Sequence, residues 1–381
     1  VFEISGIIDL DSDLTVRNDR LTIAGQTAPG DGITLRRHAL VIEADDVVVR
    51  YLRVRPGDAA GVELDGISVR RGRNIVIDHC STSWATDETL SIAGSRSAVE
   101  RSIDNVTVQW SIISESLNAS VHSKGNHGYG TLLRGSHGVR ISMHHNLWAH
   151  HMARMPRPGS YVARADDPVG PLFDFRNNVF YNWGGESSGY NADSDTVVRY
   201  NFVGNYYLVG PNSKGAVAFD ESNRHASLFF SANWMNGHPV SDATSVVRLP
   251  APGVLADREH TSGFDSTETA DVAYRRVLES SGASRSRDAV DLRVVEEVRK
   301  RTGRIIDDPD DVGGWPKHVS RPAPPDADDD GIPDQWEKLR GLDPEDPTDG
   351  SLDPDGDGYS NLEDYLESLV GGNAAVDGTT W

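Results

Sequence analysis

Asn74-Ile75-Val76-Ile77-Asp78-His79-Cys80 is the stretch whose reading decides the fold. Its β-branched core recurs as Val47-Val48-Val49, Val106-Thr107-Val108, Val139-Arg140-Ile141 and Val197-Val198. Most starts lie roughly 25 to 35 residues apart, the spacing of a solenoid whose turns cover one another. Apolar and polar residues alternate around each run, which is strand periodicity. Gly, Asn, Asp and Ser fill the intervals, and helical periodicity is missing over residues 21–236. Asn146, Asn177, Asn178, Asn201, Asn205 and Asn233 follow several runs, where stacked amides would satisfy one another inside a coil. The expected fold is all-β, a right-handed parallel β-helix over residues 1–255. A sandwich or propeller fits less well, because the strand spacing is uneven and hairpin dipeptides are missing.

The pattern changes near Ala256. Apolar residues fall at helical intervals in Ala270-Asp271-Val272-Ala273-Tyr274-Arg275-Arg276-Val277-Leu278 and again from Val290 to Val298. Asp288 is the expected N-cap of the second helix and Gly303 its stop. These helices form an extension, residues 256–320, expected to pack on the end or flank of the coil. Pro322-Ala323-Pro324-Pro325 is then a stiff linker to a third segment, residues 321–381.

That segment holds 17 Asp or Glu against three Lys or Arg, a net of −14 within the chain's −21. With no global basic field, nucleic acid is not an expected partner. No apolar run is long enough to span a bilayer, and no signal peptide is expected in this sequence. The chain opens directly on a strand-like Val1-Phe2-Glu3-Ile4, so a processed or trimmed precursor is expected. Cys80 is the single cysteine, so no internal disulfide forms.

The acidic segment is patterned. Asp326, Asp328, Asp330, Asp334 and Glu337 stand at positions 1, 3, 5, 9 and 12 of a twelve-residue calcium loop. Gly331 takes the sharp turn at position 6, and Ile332 offers its carbonyl at position 7. A second copy uses Asp353, Asp355, Asp357, Tyr359, Asn361 and Asp364, with Gly358 at the turn. Helical pieces follow each loop, at residues 336–340 and 362–369. The expectation is a small EF-hand-like module binding Ca2+. It resembles the calcium repeats of dockerin-like and thrombospondin type 3 modules of extracellular proteins. That resemblance implies secretion, filling by extracellular calcium and a tail that docks to another extracellular protein.

Three clusters on successive expected turns carry chemistry. One contains Asp65, one contains Asp87 and Glu88, and one contains Lys124, His127, Arg134 and the rigid turn Arg154-Met155-Pro156-Arg157. Prolines fix the backbone of that turn and hold its two guanidiniums in place. Guanidinium matches carboxylate bidentately, so the turn suits an anionic substrate. Carboxylates beside guanidiniums can hold a cation and an acidic sugar together, and a base could then remove the sugar's α-proton. That is elimination, not hydrolysis.

Residues 74–80, together with Ser142-Met143-His144-His145-Asn146 before the Arg-Xaa-Pro turn, resemble the pectate lyases of polysaccharide lyase family 1. The likeness spans roughly residues 21–207, and Asp311-Val312-Gly313-Gly314-Trp315-Pro316 is similar to the C-terminal part of some bacterial members. It implies a secreted, monomeric lyase that cleaves pectate, an acidic plant or algal polysaccharide, with Ca2+ as cofactor. It implies Arg154 as base and Asp65 and Asp87 as calcium ligands; where the chain departs from the family, Glu88 is expected to compensate as a ligand, Lys124 to assist catalysis and Arg157 to stand in for a substrate arginine usually further past the proline, with Arg134 and His127 as further substrate contacts. Ser91 stands where a third acidic ligand is usual. Gly130 stands where a lysine is usual, and Lys124 is expected to reach in from its loop instead.

Two other readings are open on sequence. A polygalacturonase-like hydrolase needs two carboxylates flanking a bond, and Asp87 and Glu88 are adjacent. A non-catalytic polysaccharide binder would use exposed Trp84, Trp148 and Trp183 to stack on sugars. Zinc at His144/His145 or His150/His151 is disfavoured, because adjacent strand residues point to opposite faces.

Overall fold

The computed structural model describes residues 1–94, 102–264 and 266–371. The chain winds into a parallel β-solenoid, followed among the described residues by four α-helices: α1 (Ala270–Ser280), α2 (Ala289–Lys300), α3 (Asp334–Arg340) and α4 (Asn361–Ser368). Each turn contributes a strand to two or three sheets that run the length of the coil. The recurring β-branched runs form one of these sheets. Val47 pairs with Ile75, Ile75 with Val106, Val106 with Ile141 and Ile141 with Phe173, all in parallel register. Because side chains alternate in and out, one apolar residue of every run enters the same interior column. Strand Ile67–Asp78 spans the corner and pairs in two sheets, with its first half in the sheet that carries the functional groove.

Asparagines hold one inner corner. Asn146 Nδ2 donates to Asn178 Oδ1 at 3.2 Å, Asn178 Nδ2 to Asn205 Oδ1 at 3.1 Å, and Asn205 Nδ2 to Asn233 Oδ1 at 3.0 Å. Each amide also donates to a backbone carbonyl, so buried polar groups are paired within the ladder. Asn177 and Asn201 lie outside it. They bind the carbonyls of Glu268 and His260, and so fasten the segment before α1 to the coil.

Trp84, Trp148 and Trp183 are fully buried, which corrects the expectation of exposed stacking platforms. Trp84 Nε1 donates to Glu115 at 3.1 Å, Trp148 Nε1 to Thr131 at 2.8 Å and Trp183 Nε1 to the Gly215 carbonyl at 3.0 Å. Large rings fill the interior, and burying each contributes about 2 to 3 kcal/mol.

Helices α1 and α2 lie across a flank of the coil, not its end. Val277, Leu278, Val294, Val295 and Val298 pack on Ile112, Leu147, Val179 and Tyr181. Asp288 caps α2 as expected, accepting from Val290 N and Asp291 N. The helix stops two residues before Gly303, at Arg301 in the left-handed conformation. A buried ion network pins α2 down. Arg55, with no exposed side chain, pairs with Asp288 and donates to Asp291 Oδ1 at 2.7 Å. Arg293 grips Glu115 through two bonds of 2.6 and 2.8 Å. No helix among the described residues is long and apolar enough to cross a membrane.

The acidic segment also packs on the coil. Ile332, Tyr365 and Leu366 form an apolar cluster with Ala24, and Glu367 pairs with Arg50, which also binds Asp78 at 2.8 Å. The apolar side of α4 thus rests on the chain's own coil.

Burial raises the Asp288 carboxyl, but Arg55 and Arg53 outweigh it and hold the pKa below the usual range. Asp288→Asn is expected to destabilise the fold by about 3 kcal/mol, because it leaves two buried guanidiniums, Arg53 and Arg55, with Asp291 as the remaining carboxylate of the network. Urea unfolding checks this. The native pKa lies below the unfolded one, so the wild-type contribution is complete above about pH 4 and is lost as pH falls toward the native value.

Candidate functional site

Four strand starts on the groove sheet converge. Glu88 opens strand Glu88–Ala93 and pairs with Tyr129, which bridges to Ala153 beside Arg154. Ile67 pairs with Leu90, so Asp65, two residues earlier, falls in line with Glu88. Asp65, Asp87 and Glu88 bring carboxylate oxygens within 4.8 Å of one another. Asp65 accepts from Glu88 N at 3.2 Å and from the Ser91 hydroxyl. Ser91 therefore orients Asp65 where the third acid was expected. Burial pushes the Asp65 carboxyl up to about 6, against the Ser91 hydrogen bond and with the nearby Asp87 charge adding to it. Three carboxylates this close repel one another, and such a set suits a hard divalent cation.

Arg154 arches over this cluster. Its backbone is left-handed (φ 63°), its guanidinium lies 4.1 Å above the Tyr129 ring, and it pairs with Glu88. Burial lowers the Arg154 pKa. The Tyr190 phenol opposes this, and neighbouring Arg157 lowers it further. Arg157 sits beside it over the Tyr190 ring, at 5.4 Å. Lys124, His127, Arg134, Arg154 and Arg157 line one 380 Å³ recess together with Asp87 and Glu88. The adjoining 280 Å³ recess adds Asp65. The expected acidic and basic residues thus share one open groove.

The structure accounts for Gly130. A Cβ there would lie 2.7 Å from the Arg154 carbonyl and 3.2 Å from the His151 ring, so no lysine fits without moving the Arg154 turn. Lys124 lines the recess from an exposed loop. Ser123 N donates to Glu63 at 2.8 Å and Lys124 N to His122 Nδ1 at 3.1 Å. Two expected substrate contacts are otherwise engaged. Arg134 is buried and paired with Asp193 at 2.7 Å. His127 Nε2 lies 2.9 Å from Asp87 Oδ1 and stacks on His122 at 3.6 Å, holding the Asp87 carboxylate. His122, Glu63, Tyr129 and Tyr190 were not found in the sequence, since nothing about their spacing singles them out.

The histidine pairs require a correction. His144 Nδ1 lies 3.0 Å from His145 Nδ1, because His145 is left-handed (φ 55°) at a corner where strand alternation ends. His150 and His151 do diverge. One contacts Glu297 at 3.2 Å, and the other receives Ser116 at 2.7 Å.

In the acidic segment, Asp326, Asp328 and Asp330 form one carboxylate cluster, and Asp330, Glu337 and Asp349 form another that shares Asp330. Asp349 lies outside the twelve-residue pattern and was missed. Buried oxygens of Asp326, Asp328, Asp330, Glu337 and Asp349 have no hydrogen-bond partner, the donor set a hard cation satisfies. Burial, with Asp328 and Asp330 adding, raises Glu337 to about 7. Gly331 and Gly358 are left-handed (φ 98° each), as the loop turn requires. Asp334 points away, accepting from Ala327 N at 2.9 Å and pairing with Lys338 at 3.1 Å. In the second loop Asp353, Asp355 and Asp357 cluster on the surface. Burial raises Asp364 next to them, with Asp357 and Asp355 adding to the shift. Asn361 is turned to the other loop and donates to the Asp349 carbonyl at 2.8 Å. Tyr359 is exposed and its N–H donates to Asp357 at 2.9 Å.

No family model matches the chain. It is 34% identical over 382 residues to "Probable pectate lyase C" of Aspergillus flavus, covering 97% of this chain and 83% of that protein. It is 34% identical over 381 residues to the protein of the same name from Emericella nidulans, covering 97% and 82%. Among solved structures, a pectate lyase bound to hexasaccharide has 13% identity and a TM-score of 0.48, covering 73% of this chain and 69% of its own. On the extent and level of identity to these fungal relatives, the chain belongs to the pectate lyase family.

Proposed function

We propose that the protein cleaves pectate, α-1,4-linked polygalacturonate, by calcium-assisted β-elimination outside the cell. One observation supports this most. A partly buried guanidinium of lowered pKa, that of Arg154, sits directly over a cation-hungry carboxylate cluster in an open groove. The substrate is the one named for the fungal relatives.

Asp65, Asp87 and Glu88 would hold the ion, with Ser91 and His127 fixing the carboxylates. When bound, calcium supplies positive charge that neutralises the uronate carboxylate and stabilises charge developing beside it. Arg157 and Lys124 orient the polyanion. Arg154, in its minor deprotonated form, takes the proton from the carbon bearing the carboxylate. The electron pair forms a carbon–carbon double bond, and the glycosidic C–O bond breaks. The departing oxygen takes its proton from solvent. Burial and the like charge of Arg157 favour that deprotonated form. The two loops of the acidic segment hold further calcium, structurally, and the millimolar calcium outside cells would fill sites of this kind.

Polygalacturonate with calcium is expected to yield an unsaturated product, read as rising ultraviolet absorbance, and chelator should abolish it. Reducing ends without absorbance would indicate hydrolysis. Arg154→Ala should lower kcat by about 10²- to 10⁴-fold, the usual worth of a positioned base, with an unchanged thermal midpoint. Retained turnover would remove Arg154 from the mechanism. In hydrogen exchange, chelator should raise the rates of residues 326–366 while the core strands of the coil stay protected. Uniform loss of protection would show that the ions hold the coil itself.

A further inference from the structure

The strand register lays two outward rows along the groove floor. Val69 and Ile92 pair and point inward with no exposure, as does Leu133 on the next strand. Side chains alternate, so the residues on either side of this inner column face out. The first row runs Ser68, Ser91, Leu132, Arg157. The second continues one step past the core residues as Arg70, Ala93, Arg134, Gly159, with Ala93 pairing with Arg134 and Arg134 with Gly159.

The charges of the second row are not equivalent. Arg134 is buried against Asp193. Arg70 is exposed and lines the 280 Å³ recess with Asp65, Ala93 and Tyr161. It has no hydrogen bond or ion pair to any described residue. Among the described residues, the methyl of Ala93 stands between the two arginines in this row. Neighbouring rungs are about 4.8 Å apart, so the gap across Ala93 is about 10 Å, wide enough for a sugar ring. This recess is continuous with that of Arg154, because Asp87, Glu88, Leu132 and Tyr161 line both. A polyuronate bears a carboxylate on every unit, so a chain leaving Arg154 along this floor brings another carboxylate toward Arg70.

The geometry points to an accessory subsite, in which Arg70 takes the carboxylate of a uronide seated over Ala93 and beside Tyr161. It rests on the polyuronate reading of the groove, but it concerns binding and can be tested without turnover.

Calorimetry with calcium, in the Arg154→Ala background of the full chain, compares trigalacturonate with hexagalacturonate. Adding Arg70→Ala is expected to weaken hexamer binding about tenfold and trimer binding less than twofold. Arg70→Lys should recover part of the loss. Ala93→Leu, which fills the floor and keeps the charge, should weaken the hexamer similarly. Unchanged hexamer affinity in Arg70→Ala, or equal losses for both lengths, would overturn the subsite. A shift confined to the calcium midpoint would overturn it too, by showing that Arg70 only balances the Asp65 cluster. Absence of lyase product from the wild type would refute the elimination reading alone, since the length dependence of binding is read separately.

Discussion

Parallel in-register stacking of one turn on the next is the constraint on which everything else depends. It converts positions about 30 residues apart in sequence into neighbours about 4.8 Å apart. The Val47, Ile75, Val106 and Ile141 column makes the interior, and the same registration places Asp65, Glu88 and Tyr129 side by side at the strand starts. A slip of one residue in any strand would turn its apolar residues outward and carry its share of the groove inside. The asparagine ladder and the filled interior guard against such a slip. Each amide fits only partners at one height, and each ring occupies one level.

Against this rigid frame the groove concentrates conflict. Three carboxylates lie within 4.8 Å of one another, and guanidiniums are partly buried beside them. Arg154 is left-handed without being glycine. Each of these has a cost, and the stacked turns hold them in place. Acidic and basic side chains meet across the groove, Arg154 at Glu88 and His127 at Asp87, so the two halves are held against each other by the frame.

The coil was legible in the sequence because its period is carried by β-branched runs that have no other use. The capped helix at Asp288 and the sharp turns at Gly331 and Gly358 were legible because short-range spacing fixes them. What was not legible came from contacts across turns. Trp84, Trp148 and Trp183 read as surface rings, yet each has its N–H satisfied inside by a residue no local pattern points to. Asp349 joins the first loop from beyond its twelve residues. The His144/His145 geometry failed a rule that holds only within strands, because the chain turns a corner there. The exchange of the usual lysine for Gly130 was visible in the sequence, but its reason, the Arg154 carbonyl pressed against it, was not.

Arg50 joins two parts of the molecule that the linker prolines would otherwise keep separate. One side of its guanidinium meets Asp78 in the coil wall and the other meets Glu367 in α4, while Ala24 sits under Tyr365 and Leu366. The acidic segment is therefore not an interchangeable tag. Grafting it onto another scaffold, or trimming it to make a smaller catalyst, would take one of Arg50's two carboxylates and uncover an apolar patch at once. The two parts are heritable only as a pair, and each constrains how fast the other can drift.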